Sequence, residues 1–119
     1  MGLDTTHNCW HGGYGSFNMF RHLLAEQIDI NLDEYNGYGA DNGKDLTTIK
    51  HDIMPLLNHS DCDGRLTLKE SKRIIKGLNN ILENFKIDPK FDDYFKSKII
   101  QFRDGCSDAV NKKQMIKFQ

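Results

Sequence analysis

The amino-acid sequence predicts a mostly α domain, α+β at its margins, in which two long antiparallel helices carry a shorter third helix packed across them. Three observations predict it. Apolar residues recur at helical spacing through Leu68, Ile74, Ile75, Leu78, Ile81, Leu82 and Phe85, and again through Phe91, Tyr94, Phe95, Ile99, Phe102 and Cys106; each run is the stripe of a helix that buries one face. Asp88-Pro89 lies between the two runs and breaks them, since proline pushes the residue before it out of helical geometry. The short connection then folds the second helix back along the first.

The elements follow in chain order. Residues 1–15 are rich in His, Gly and polar side chains without periodicity and read as an irregular N-terminal arm. From Ser16, placed to cap, Phe17, Phe20, Leu23, Leu24 and Ile28 mark a first helix running to about Gln27. Ile28, Ile30 and Leu32 then alternate with Asp29, Asn31 and Asp33, the period of an extended segment. Residues 36–44, NGYGADNGK, form a mobile surface loop, and Leu46 to Ile49 is too short to assign. Asp52 can cap a short helix from Ile53 to near His59, with Pro55 tolerated in a first turn whose amides lack helical partners. Thr67 and Glu70 make a capping box at the head of the first long helix. Ile116 and Phe118 alternate as a short terminal strand. The expected core is Phe20, Leu24, Ile75, Leu78, Leu82, Phe95, Ile99 and Phe102.

Composition narrows the function classes. At 119 residues the chain fits a single domain, 1–119, that can bury roughly two-thirds of its unfolded surface. With 38% hydrophobic and 28% charged residues it has the apolar content that disordered chains lack. Lys plus Arg number 16 against 17 Asp plus Glu, a net charge of -1, which is not the clustered basic excess of a nucleic-acid binder. Lys112, Lys113 and Lys117 read as a solvated tail. No apolar run reaches the roughly 18 residues of a membrane span. Met1 to Trp10 lacks the basic start and apolar stretch of a signal peptide, and Cys9, Cys62 and Cys106 cannot all pair within the chain. Reduced thiols in a cytoplasmic setting are the expectation.

Two constellations carry candidate chemistry. The first is the acidic turn His59-Ser60-Asp61-Cys62-Asp63-Gly64-Arg65-Leu66-Thr67-Leu68-Lys69-Glu70. It resembles a degenerate calcium loop of the EF-hand type, with Gly64 at the sharp turn, oxygen ligands at Asp61, Asp63, Thr67 and Glu70, and an apolar Leu66. Its first position holds His59, whose imidazole is a poor ligand for a hard cation, so calcium would bind weakly. Arg65 adds a positive charge. The entering helix is short and no second loop pairs with it. Without a metal, Asp63-Gly64 is an ordinary turn and Glu70 a capping residue. The second constellation is His7, Cys9 and His11, which would face one way from an extended segment. Together with His59, Cys62 and the carboxylates they could form a mixed zinc site, or simply hold the arm by hydrogen bonds with Cys9 and Trp10 as packing. Cys9 followed by His59 and Asp61 also has the chain order of a thiol hydrolase. His22 and His51 have no partners at ligand spacing.

Gly2-Leu3-Asp4-Thr5-Thr6-His7-Asn8-Cys9-Trp10-His11-Gly12, with Tyr14, Phe17, Phe20 and Arg21, and then Leu56-Leu57-Asn58-His59-Ser60-Asp61-Cys62-Asp63-Gly64 resemble an uncharacterised family of small bacterial and tailed-phage proteins. Phe102, Ala109 and Phe118 fit its close more weakly, and residues 33–50 show no match. The resemblance implies that arm and turn belong to one feature, in a bacterial or phage setting, and implies no activity. The leading expectation is a non-enzymatic accessory or binding protein, with a divalent ion (calcium weakly, or zinc) at the turn and a protein partner. A metal- or thiol-dependent hydrolase and a purely structural arm and turn are the alternatives. In each, at least one of His7, Cys9 and His11 should touch residues 59–64.

Overall fold

In the computed structural model, which describes residues 2–38 and 41–119, the chain opens on a hairpin and not on an irregular arm. Strand β1 (Gly2–Asp4) pairs antiparallel with β2 (His11–Gly13), Leu3 opposite Gly12. A 3₁₀ turn at Thr6–Asn8 joins them, with His7 and Asn8 at positive φ, 63° and 58°. Thr5 closes this turn, since its Oγ1 accepts from the Trp10 amide at 2.9 Å. Burial of Leu3, Thr5, Cys9 and Trp10 holds the hairpin down, which a count of hydrophobic spacing does not register.

Helix α1 (Tyr14–Gln27) begins directly from β2, with Gly13 as its cap and no side-chain cap. Ser16 therefore sits inside the first turn and does not begin the helix. Residues 28–33 do not form the expected extended segment. Asp29 takes a left-handed φ of 61°, the Ile28 and Ile30 amides return to the Ala25 carbonyl, and the Asn31 side chain accepts from the Asp33 amide to start a 3₁₀ turn at Leu32–Glu34. Such local side-chain bonds compete with strand formation. The loop expected to be mobile is tied at its base, where Asn36 N–H donates to Lys44 O at 3.0 Å and Lys44 N–H to Glu34 O at 2.9 Å; Gly39 and Ala40 lie outside the described residues. Leu46–Thr48 is another 3₁₀ turn, capped by Asp45.

Helix α2 (Met54–Leu57) has Ile53 as its cap and Pro55 in its first turn. Asp52 does not cap it and instead accepts from Arg73 Nε at 3.3 Å. Strand β3 (Arg65–Leu66) leads into α3 (Leu68–Glu83), where Thr67 and Glu70 form the expected capping box. Helix α4 (Asp93–Asn111) starts at the Asp92 cap, and β4 (Ile116–Lys117) pairs antiparallel with β3. Because β3 enters α3 and β4 leaves α4, while Phe85 after α3 meets Phe95 early in α4 with ring centroids 6.1 Å apart, the two long helices run antiparallel.

One continuous core unites these pieces. Phe20, Leu24, Leu78, Phe95, Ile99 and Phe102 are buried as expected, whereas Ile75 and Leu82 are partly buried at its border. Trp10 joins Phe17 and Phe20 in an aromatic layer, with centroids 5.2 and 5.1 Å away. The final residues form a seam between the first and middle segments. Asp4 and Gln119 exchange backbone hydrogen bonds, and the Phe118 amide donates to Gly64 O at 2.9 Å. Among the described residues, no helix is long and apolar enough to cross a membrane.

Candidate functional site

The acidic turn is organised around the His59 ring. Gly64, at φ 89°, lets the backbone reverse where another residue would be strained. A Cβ on it would also sit 3.4 Å from the imidazole. His59 Nδ1 lies 2.8 Å from Ser60 O and Nε2 lies 3.0 Å from Arg65 O, and its ring packs on Phe118 with centroids 4.0 Å apart. In the EF-hand alignment the Arg65 carbonyl would ligate calcium; here it faces an imidazole nitrogen. Glu70 and Thr67 are likewise engaged, Glu70 Oε1 accepting from Thr67 N–H at 3.0 Å and Thr67 Oγ1 from Glu70 N–H at 3.1 Å. Asp63 and Cys62 are exposed, Cys62 Sγ lying 3.5 Å from Ser60 Oγ. Among the described residues, no three His, Cys, Asp or Glu side chains gather as a group that could hold a metal ion.

The arm's donors point elsewhere. His7 Nδ1 pairs with Asp108 Oδ2 at 2.8 Å, and hydrogen bonds from His7 and then Lys112 hold the Asp108 carboxyl below its ordinary range. Cys9 is buried against α4 beside Cys106; the neighbouring Cys9 thiol and burial push the Cys106 thiol upward. His11 Nδ1 lies 2.9 Å from Asp4 Oδ1 in solvent. His7, Cys9 or His11 was expected to touch residues 59–64; the hydrogen bonds of His7 and His11 go to Asp108 and Asp4 instead, and hairpin and turn each bond to the C-terminal seam. His22 spans Asn18 O and Asp33, and His51 bonds Asn80.

What the turn does adjoin is a cleft of about 430 Å³ walled by α1, the base of the 36–44 loop and the α2 end of the turn, including Asn18, Arg21, Asn36, Tyr38, Asn58 and Asp61. Arg21 stands out because it is only 4% exposed. Its guanidinium lies over the rings of Phe17 and Tyr38, 4.6 and 5.1 Å from their centroids, and donates to the His59 carbonyl. Among the described residues its Nε has no hydrogen-bond partner and no carboxylate lies within ion-pair distance of it. A buried charge without a paired partner is costly. Burial accordingly pulls the Arg21 pKa below its ordinary value, against the opposing pull of Tyr38 and Asp61. Tyr38 donates to Leu57 O at 2.6 Å, and burial raises its phenol to about 12 while Arg21 works the other way.

Arg21 and Tyr38 were not singled out as site residues by sequence reasoning. The readable signal was a lone cation on an apolar stripe, since Phe17, Phe20, Arg21 and Leu24 share one helical face. A second feature passed over is the row Lys69, Lys72, Arg73 and Lys76 on α3, in which Arg73 is paired with Asp52. No protein-family model, curated protein or solved structure matches the chain.

Proposed function

We propose that this chain is a small non-enzymatic binding protein whose ligand cleft lies beside the acidic turn, between Arg21, Tyr38 and Asp61. One observation carries the reading. A guanidinium is buried at the cleft wall and, among the described residues, has an unpartnered Nε and no carboxylate within ion-pair distance, so its charge is left for an anionic group to complement. The cleft volume of about 430 Å³ falls within the range of small-molecule sites.

The hydrolase reading has less support. Cys9 is buried beside Cys106, and both ring nitrogens of His59 face backbone carbonyls, so His59 is not aimed at the Cys9 thiol. A divalent ion at Asp61 and Asp63 is not required; it would gain Glu70 only if that side chain left its cap. A bacterial or phage setting belongs to the proposal through the likeness of the opening segment and turn alone.

Nitrogen-15 NMR on the full chain tests the reading, following the Arg21 Nε–Hε signal and the amides of residues 58–61 during titration with small carboxylates, inorganic phosphate and calcium. Saturable shifts of the Arg21 signal with a carboxylate or phosphate are expected. If none of these moves it at millimolar concentration, the cleft is a structural feature and the proposal fails.

A further inference from the structure

We infer that the cleft takes a small zwitterion of the α-amino-acid class, its carboxylate on Arg21 and its ammonium on Asp61. The inference rests on the binding reading above and adds the identity of the ligand. Opposite charges line one cleft without forming an ion pair across it. Arg21 is in none of the ion pairs among the described residues, and neither is Asp61. A side chain that sits near an opposite charge yet does not close on it leaves both charges available to a third group.

Their settings differ in a way that assigns the roles. Arg21 is fixed, buried between two aromatic rings and anchored on the His59 carbonyl. A guanidinium so held keeps its charge at the cleft wall, where a planar carboxylate is its natural counter-group. Asp61 is half-buried at the edge of the turn and can only accept once ionised, which suits an ammonium that remains partly hydrated. A plain anion would meet Arg21 but be repelled by Asp61, and a plain cation the reverse. A molecule carrying both charges on groups attached to one carbon answers both side chains at once. Asn18, Asn36 and Asn58 line the same space, and amides both donate and accept. Leu46 and Leu57 complete the lining, so a modest aliphatic side chain is accommodated.

Four probes separate the terms: L-alanine and L-leucine as zwitterions, propionate as the carboxylate without the ammonium, and ethylamine as the converse. Binding is read from the Arg21 Nε–Hε signal of the full chain and from calorimetry. At least one amino acid should bind at least about tenfold more tightly than propionate, the equivalent of one good charge-assisted contact. Asp61→Asn, a half-exposed substitution that spares the core, should cancel that advantage and leave propionate binding equal or stronger. Propionate binding as tightly as both amino acids, or Asp61→Asn weakening propionate and amino acid alike, overturns the zwitterion while the binding cleft stands. A silent Arg21 signal with all four probes overturns the zwitterion, and silence with inorganic phosphate as well removes the binding cleft.

Discussion

Replacing Gly105 with alanine puts a methyl group where α4 meets the turn of the opening hairpin. The added Cβ would lie 2.5 Å from Cys9 Sγ, 2.8 Å from His7 O and 2.9 Å from Cys9 Cα, where carbon contacts prefer about 3.5 to 4.0 Å. Two of those three neighbours are backbone atoms, and the third belongs to a buried thiol beside Cys106. The hairpin turn must therefore lift by roughly 1 Å. Overpacking of this kind costs about 1 to 3 kcal/mol, and the better helix propensity of alanine returns about 0.5 to 1. At the middle of both ranges the net expectation is a loss of about 1.3 kcal/mol. For 119 residues, an unfolding entropy of about 2.1 cal/mol/K per residue converts this to a fall in Tm of roughly 5 °C. Gly15 supplies the control, because it lies in α1 with nothing within 4 Å of its added Cβ, and Gly15→Ala should leave Tm unchanged or raise it. Calorimetry on both variants is the assay. A Gly105→Ala protein as stable as Gly15→Ala would mean that the hairpin turn does not rest on α4.

Two further outcomes follow from the titratable groups. Of the four tyrosines, Tyr38 should ionise late, its phenol raised from 10.0 to about 12 by burial; because the folded value exceeds the unfolded one, its contribution is fully present below pH 10 and lost as pH rises through about 12, at about 1.4 kcal/mol per unit of pKa. Phenolate absorbance and alkaline stability curves of wild type and Tyr38→Phe check this, and four tyrosines ionising together near their ordinary value would refute it. With a disulfide-exchange reagent, exposed Cys62 should react at once and buried Cys9 and Cys106 only on unfolding, since the thiolate is the reactive form and the neighbouring Cys9 thiol and burial suppress it at Cys106; two fast thiols in the native protein would contradict the packing.

The helical half of the fold was legible because its signals are local. The capping box at Thr67 and Glu70, the Asp88-Pro89 break and the stripes through Leu78 and Phe102 each lie within a few turns of chain, and each has its counterpart in α3, α4 or the connection between them. Exact helix limits moved, with α3 ending at Glu83 and Phe85 packing beyond it against Phe91 and Phe95. The short segments failed where distant partners decide the conformation. Alternation at Ile28 to Asp33 was overruled by a left-handed Asp29 and the Asn31 cap, both compatible with the same apolar spacing. Strand character at Ile116 was visible, whereas its partner Leu66 was not.

The same distinction explains what happened to the candidate site. Residue type and the resemblance of the two segments to one family suggested that His7, Cys9 and His11 act with His59, yet the two arm histidines find acceptors elsewhere, Asp108 for His7 and Asp4 for His11. A residue type able to bind metal is equally able to satisfy a hydrogen bond, and only geometry separates these uses. Arg21 offered the opposite case. Its placement between Phe17 and Leu24 on an apolar helical face could have been read as an error of pattern or as a buried functional charge. A buried cation needs compensation, and for Arg21 the described residues provide aromatic faces and one carbonyl but no carboxylate at contact distance. The unmet part of that compensation lies in the same cleft as a half-exposed Asp61, and it is this part that the proposed ligand would supply.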